Sequence, residues 1–140
     1  MTTYKLNDSK MFSDITDGIA IIINSETGIY YGMNGLGTIV YENIEKGADT
    51  DKILSKLKEM GAPATIDANF KQFIDAMVEK EILKEAAGTG AEVSIDEKVA
   101  KEDNFALAMK EYNDAQELLL ADPIHEVKEE TAEREKKMEK

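Results

Sequence analysis

The chain has 140 residues, 42% of them hydrophobic, and a formal net charge of −12 at pH 7. This length fits one domain, or one small domain with an appendage. Nucleic acids and anionic membrane surfaces attract basic faces, so the acidic excess argues against both as partners. The absence of cysteine excludes disulfides, iron–sulfur clusters and thiolate zinc sites within the chain.

The N-terminus lacks the hydrophobic core of a secretion signal. The longest apolar run, Ile19 to Ile23, is far shorter than the roughly 20 residues that a membrane-spanning helix needs. We therefore expect a cytoplasmic protein without a membrane partner.

The segment from residue 10 to residue 33 is typical of β-structure. Ile19 to Ile23 is a continuous β-branched run, the pattern of a strand covered on both faces. Asn24 to Gly28 is predicted to turn, and Ile29 to Met33 to return as the second strand of a hairpin. A shorter strand is predicted before the hairpin, around Met11 to Ile15.

Three helices are predicted after the strands, at Gly35 to Lys46, Thr50 to Met60 and about Ile66 to Leu83. Thr50 is the expected cap residue of the second helix. In the third helix, Ile74 and Val78 lie beside the apolar core stripe rather than on it. The order predicts an α+β, winged-helix-like fold, in which a three-stranded N-terminal antiparallel sheet is followed by three helices.

The C-terminal part of the chain differs in composition. Residues 86–91 are rich in glycine and alanine, and Asn104 to Leu120 has the pattern of a helix that Pro123 stops. We therefore expect a domain at 1–86, a linker at 87–103 and an acidic, partly helical tail at 104–140. The consecutive leucines 118–120 fit either a helix packed on the domain or an exposed docking segment.

The strands and helices together resemble the PqqD family, whose members are RiPP recognition elements. After Asp17-Gly18 and the apolar strand, the run Glu26-Thr27-Gly28-Ile29-Tyr30-Tyr31-Gly32-Met33-Asn34 is similar to the family's E-T-G turn and G-x-Y-Y-x-L-N strand. Met33 stands where leucine is usual. The first, second and third helices also resemble the family's helices at 35–44, 51–54 and 73–83. The likeness covers residues 8 to 85.

A second likeness lies in the tail. Residues 112–127 resemble the pattern Y-x-D-x-Q-x-L-L-L-x-D-P-I-H-x-V, found in a subset of these proteins. That pattern usually continues into a Gly-Trp-Pro element, whereas this chain has no tryptophan and ends in charged residues.

The resemblance implies a scaffold that is not an enzyme and holds no cofactor. Family members bind the leader of a ribosomally made precursor peptide, which adds beside the third strand and sits against the third helix. A separate enzyme, often a radical SAM protein, then modifies the peptide. The peptide-binding residues are accordingly expected to be Gly28, Ile29, Tyr30, Tyr31, Gly32, Met33, Phe70, Lys71, Ile74, Met77 and Val78.

Two points about this set stay open from the residues themselves. The strand 29–33 can be an edge that offers unpaired N–H and C=O groups to a peptide, or a central strand with Tyr30 and Tyr31 as core aromatics. Ile74 and Val78 can line a groove, with Lys71 at its rim, or pack on neighbouring helices.

Chemical function has little support in the sequence. His125 is the only histidine and has no cysteine or second histidine with which to hold a metal. Gly32, Gly35 and Gly37 lack the spacing of a phosphate-binding loop. With no nucleophile–base pair visible, we expect no catalytic and no metal site.

Two rival functions remain. A winged-helix DNA-binding transcription regulator would need a basic third helix, but three lysines in this region face four acidic residues. These are Lys71, Lys80 and Lys84 against Asp67, Asp75, Glu79 and Glu81. The other rival is a subunit that completes another protein's active site. Neighbouring genes for a precursor peptide and a radical SAM enzyme would favour leader binding.

Overall fold

The computed structural model describes residues 3–113 of the chain. Its elements in chain order are β1 (Tyr4–Leu6), β2 (Met11–Thr16), β3 (Ile19–Asn24), β4 (Tyr30–Met33), α1 (Gly35–Glu45), α2 (Thr50–Glu59), α3 (Ile66–Glu79), β5 (Leu83–Glu85), α4 (Glu97–Glu102) and β6 (Met109–Tyr112). The predicted α+β class and antiparallel sheet are confirmed, as are the three strands and three helices of the core pattern.

The main sheet has four strands in the order β2-β3-β4-β6, all antiparallel to their neighbours. Strands β3 and β4 form a hairpin. In the turn that joins them, the Asn24 side chain accepts hydrogen bonds from Glu26 N and Thr27 N. Gly28 closes that turn with φ 77°, a left-handed conformation that suits glycine. A small second sheet pairs β1 with β5.

The second helix begins at Thr50, as predicted, but its cap lies one residue earlier than expected. Asp49, rather than Thr50, is its cap, and the Asp49 side chain accepts a hydrogen bond of 2.8 Å from Asp51 N. A carboxylate in this position satisfies an end amide of the helix and interacts favourably with the helix dipole.

The third helix ends earlier than predicted, at Glu79 instead of Leu83. Glu81 takes a left-handed conformation with φ 64°, and Ile82 N donates to Met77 O at 2.8 Å. This bond across the helix end defines a Schellman cap, which is usually marked by glycine. Because a glutamate holds the position here, the sequence gives no stop signal, and the short strand β5 was missed.

The core lies between the inner face of the main sheet and helices α1 to α3. Leu36, Ile53 and Met77 are fully buried there, together with Ile22 of β3. The expectation that the isoleucine run is covered on both faces is wrong for the described residues. Ile19 and Ile23, on the outer face, are 37% and 40% exposed.

The segment after residue 86 contributes to the same core. Ile95, Ala100 and Leu107 are all buried, and the Asn43 side chain exchanges two hydrogen bonds with the Ser94 backbone. The stretch expected to be a linker thus contains helix α4. The domain boundary at residue 86 stays a prediction.

The predicted helix from Asn104 to Leu120 is wrong as far as residue 112. Asn104 and Phe105 have φ values of 54° and 55°, which no right-handed helix allows, and Met109–Tyr112 forms the strand β6. The leucines 118–120, His125 and the charged end of the tail lie outside the described residues. Between residues 3 and 113, no helix is long and apolar enough to cross a membrane.

Candidate functional site

The predicted peptide-binding strand, β4, lies inside the main sheet. Its partner on one side is β3 and on the other side β6, so the expectation of a free edge is wrong for the described chain. Tyr31 is buried and Tyr30 half-buried on the opposite face, as the alternation of a strand requires. The two edge strands of this sheet among residues 3–113 are β2 and β6.

What covers the β4 edge is an extended segment of the same chain, residues 106–112. Its register pairs Met33 with Met109, Gly32 with Lys110 and Tyr30 with Tyr112. The segment therefore lies where the family resemblance places a leader peptide.

Asn34, directly after β4, binds main-chain groups at the start of this segment. Its main-chain N–H donates to Ala108 O at 3.1 Å, and its side-chain Nδ2 donates to Ala106 O at 2.8 Å. Its Oδ1 accepts from Ala108 N at 3.2 Å while also capping α1 through Gly37 N at 2.9 Å. The helix cap and the peptide contact thus share one side chain.

Asn69 on α3 holds the next residue in the same manner. Its Oδ1 accepts from Leu107 N at 2.7 Å, and its Nδ2 donates to Leu107 O at 3.0 Å. The amide side chain therefore reproduces the pair of bonds that a neighbouring strand would make. Neither bond depends on the identity of the side chain at position 107.

Side-chain contacts are concentrated at the other end of the segment. Lys80 Nζ lies 2.7 Å from Glu111 Oε1 and 5.9 Å from the centre of the Tyr31 ring. The hydrogen bond to Glu111 raises the pKa of Lys80, and partial burial offsets some of that rise. Burial also raises the pKa of the Tyr31 phenol, and the Glu111 charge adds to the rise. At neutral pH, Lys80 is therefore a cation that faces an acidic residue of the segment.

An aromatic contact lies on the outer face of the sheet. The Tyr30 and Tyr112 rings are stacked, with centres 4.9 Å apart and planes inclined by 15°. Gly32 lies between Tyr30 and the end of the strand, and a Cβ built there would touch the Tyr112 ring at 3.5 Å. The small residue leaves space for an aromatic side chain of the neighbouring strand.

The side chains of α3 that face residues 106–112 form one wall of a groove. They differ from the α3 residues predicted to bind a peptide. Phe70, Ile74 and Met77 are buried in the core, whereas Lys71 and Val78 lie exposed on another side of α3. Lys71 pairs with Asp75 at 2.7 Å. The α3 side chains that line the groove beside residues 107–111 are Asn69, Gln72, Phe73, Ala76 and Lys80.

These groove residues share one face of the helix, at spacings of three and four residues. An apolar stripe on a helix marks its core face and does not predict this set, because the groove combines two apolar residues, Phe73 and Ala76, with three polar ones. The available signal was an asparagine, Asn69, one helical turn before Phe73. Asn34 belongs to the strand motif, but the motif did not predict that it contacts a peptide.

Replacing Asn69 by leucine should loosen the segment without disturbing the fold. Two hydrogen bonds of about 0.5–1.5 kcal/mol each are lost, which corresponds to roughly 5- to 150-fold faster amide exchange through local opening. We expect this acceleration at Leu107 and Lys110, measured by hydrogen exchange and NMR. Gln72→Leu, an amide replacement on the same helix face, serves as the control. Equal exchange in both variants would contradict the role given to Asn69.

The fold and site define an α+β domain that holds an extended chain segment against one strand and one helix. The family model described as "Coenzyme PQQ synthesis protein D (PqqD)" matches residues 20–83. That match, over somewhat less than half of the chain, agrees with the resemblance that the strand and helix motifs indicated. Among the residues that the structure describes, no group of three or more acidic or histidine side chains could hold a metal ion.

A solved structure has the same fold. It is entitled "TbiB1 in Complex with the TbiA(beta) Leader Peptide" and is 22% identical to this chain, with a TM-score of 0.52. The match covers 59% of this chain and 98% of that chain. A comparison with curated proteins gave no match.

Proposed function

We propose that this protein binds the leader of a ribosomally made precursor peptide and presents it to a separate modifying enzyme, of the radical SAM class. The leader adds as a strand along β4 and packs against α3. The protein acts in the cytoplasm, where the precursor is translated, and catalyses no reaction itself. The observation that carries this proposal is the extended segment 106–112, which is held at the β4 edge largely through its backbone.

The two asparagines explain how one site can hold a peptide without reading every side chain. Asn34 and Asn69 both bind main-chain N–H and C=O groups of the segment. Backbone pairing of this kind supplies affinity, and a few side-chain contacts then supply specificity. The match to the PqqD family model and the fold shared with TbiB1, whose structure contains a leader peptide, support the same function.

The energies are consistent with a binding module. Several backbone hydrogen bonds at a net ~0.5–1.5 kcal/mol each, and one or two buried side chains at roughly 1.5–3 kcal/mol each, favour binding. Ordering a flexible peptide takes back about 2–5 kcal/mol. With four such bonds and two such side chains at mid-range, the balance is about −5 kcal/mol, which corresponds to a dissociation constant of about 0.2 mM.

The rival DNA-binding function gains no support from α3. Asp67, Asp75 and Glu79 are exposed on this helix, and its one lysine before Lys80 is already paired with Asp75. A recognition helix needs basic side chains free to meet phosphates.

The test is an NMR titration of the labelled full-length chain with a candidate leader peptide. We expect amide shifts in residues 30–34 and on the Asn69–Lys80 face of α3. A control leader, N-methylated at alternate residues, keeps its side chains but loses strand donors, and it should bind at least tenfold more weakly. Shifts confined to α2, or no binding at millimolar leader, would contradict the proposal.

A further inference from the structure

The peptide edge of β4 is already occupied by the chain itself. Residues 106–112 make the contacts that the proposed function assigns to a leader, and the inference drawn here rests on that function. We propose that this segment is an internal occupant of the peptide site. A bound peptide displaces it and uses the same subsites.

Two subsites lie on the inner face of the segment near its start. Leu107 is 6% exposed and lies beside Phe73 in the groove, and Met109 follows as a half-buried side chain. Both positions take an apolar residue. Ala108 between them is exposed, so the peptide position that replaces it is unconstrained.

The last two subsites are selective. Glu111 is paired with Lys80 on the inner face, and Tyr112 is stacked on Tyr30 on the outer face. A peptide that replaces the segment should therefore run antiparallel to β4 with the order apolar, any, apolar, any, acidic, aromatic. This order names the class of leader that the site accepts.

Several features indicate that the segment can be displaced. Ala106, Ala108, Lys110 and Glu111 are all exposed, so little apolar surface is buried when they dock. The chain enters the segment through Asn104 and Phe105, whose N–H groups donate to Lys101 O and Ala100 O and close the end of α4. These bonds do not involve residues 106–112, so α4 can keep its end when the segment is released.

Internal occupancy lowers the apparent affinity of any added peptide. The apparent dissociation constant equals the intrinsic one divided by the fraction of molecules with an open edge. A change that opens the edge should therefore lower the apparent dissociation constant by the same factor by which the open fraction rises.

Lys110→Pro is the variant that opens the edge. Since Asn34 N donates to Ala108 O, the alternation of an antiparallel ladder makes Lys110 and Gly32 the next bonded pair. Proline at this exposed position removes a strand donor, and an outermost strand tolerates proline without loss of the fold. Lys110→Ala keeps the donor and is the matched control.

The probe is a synthetic peptide of residues 105–113, blocked at both ends, added to the full-length proteins and followed by NMR. We expect Lys110→Pro to bind it at least tenfold more tightly than the unchanged chain or Lys110→Ala, with shifts at residues 30–34 and at Asn69. Changing the glutamate of the peptide to lysine should weaken this binding. Slow amide exchange in α1 and α2 verifies that the variant is folded. Absence of binding to folded Lys110→Pro at millimolar peptide would overturn the inference.

The cognate leader separates this inference from the proposed function. Tighter leader binding by Lys110→Pro than by Lys110→Ala supports both. Equal binding by the two, with shifts at β4, overturns internal occupancy and leaves the function intact. If the leader binds neither protein while the 105–113 peptide binds Lys110→Pro, the function fails and the internal occupant stands. Leader shifts at the β2 edge with β6 amides unchanged would overturn displacement.

Discussion

In the Lys110→Pro background, where the β4 edge is open, Tyr30→Pro is expected to lower the affinity for a cognate leader about 5- to 150-fold. Asn24 N donates to Ile29 O, so residues 29, 31 and 33 bond towards β3 and residues 30 and 32 towards the peptide edge. Proline at Tyr30 removes one donor and leaves a peptide carbonyl unpaired, at a cost of about 1–3 kcal/mol. Because Tyr30 is the first residue of β4, the strand itself accepts proline. Calorimetric titration with the leader measures the change.

Tyr30→Ala separates the contribution of the backbone N–H to leader binding from that of the aromatic ring. It keeps the N–H and loses only the stacking surface, so it should weaken binding less than Tyr30→Pro does. Tyr31→Pro should instead disrupt the β3–β4 ladder and lower the unfolding midpoint of the protein. Equal leader affinity in Tyr30→Ala and Tyr30→Pro would contradict strand addition at this edge.

Phe73→Ala is expected to destabilise the protein by about 3–5 kcal/mol, the usual cost of removing a buried aromatic side chain. Phe73 is 4% exposed and lies between the core and the groove. Its ring tip is 3.1 Å from the position of a Cβ built on Gly37, so α1 and α3 are closely packed there. The loss should appear as a lower urea midpoint with an unchanged m-value.

Val78→Ala is the matched control for this change. Val78 lies on the same helix but is 40% exposed, and its replacement should alter the free energy of unfolding by about 0.5 kcal/mol or less. A similar destabilisation in both variants would contradict the buried position of Phe73 and the exposed position of Val78.

The strands and helices from residue 11 to residue 79 were predictable because local signals agreed with the tertiary fold. The continuous β-branched run from Ile19 to Ile23, the Asn24–Gly28 turn and the helical stripes all indicated the observed elements. Prediction failed where long-range pairing decided the structure. The apolar pattern after Asn104 fits a helix, but pairing with β4 and the bonds from Asn69 hold that segment extended.

The strand of the proposed site could be predicted from the sequence, whereas the α3 side chains that lie beside it could not. Tyr30 and Gly32 follow from the motif and from the period of a strand. The Asn69 and Lys80 contacts depend on which side of α3 faces a segment 38 and 31 residues further along the chain, and no local pattern encodes that. A separation of 72 to 74 residues hides the role of Asn34, which resembles an ordinary helix cap in the sequence.

The direction of β6 indicates where a bound leader would leave the domain. The strand runs antiparallel to β4 and leaves the sheet at Tyr112, opposite Tyr30 and next to the Asn24–Gly28 turn. Under the proposed function, a leader in the same orientation sends its C-terminal portion, and with it the residues to be modified, out past this turn. Each further extended residue reaches about 3.4 Å. The number of leader residues beyond the turn then sets the distance between the domain and the residues to be modified. The modifying enzyme must approach from the turn end of the sheet.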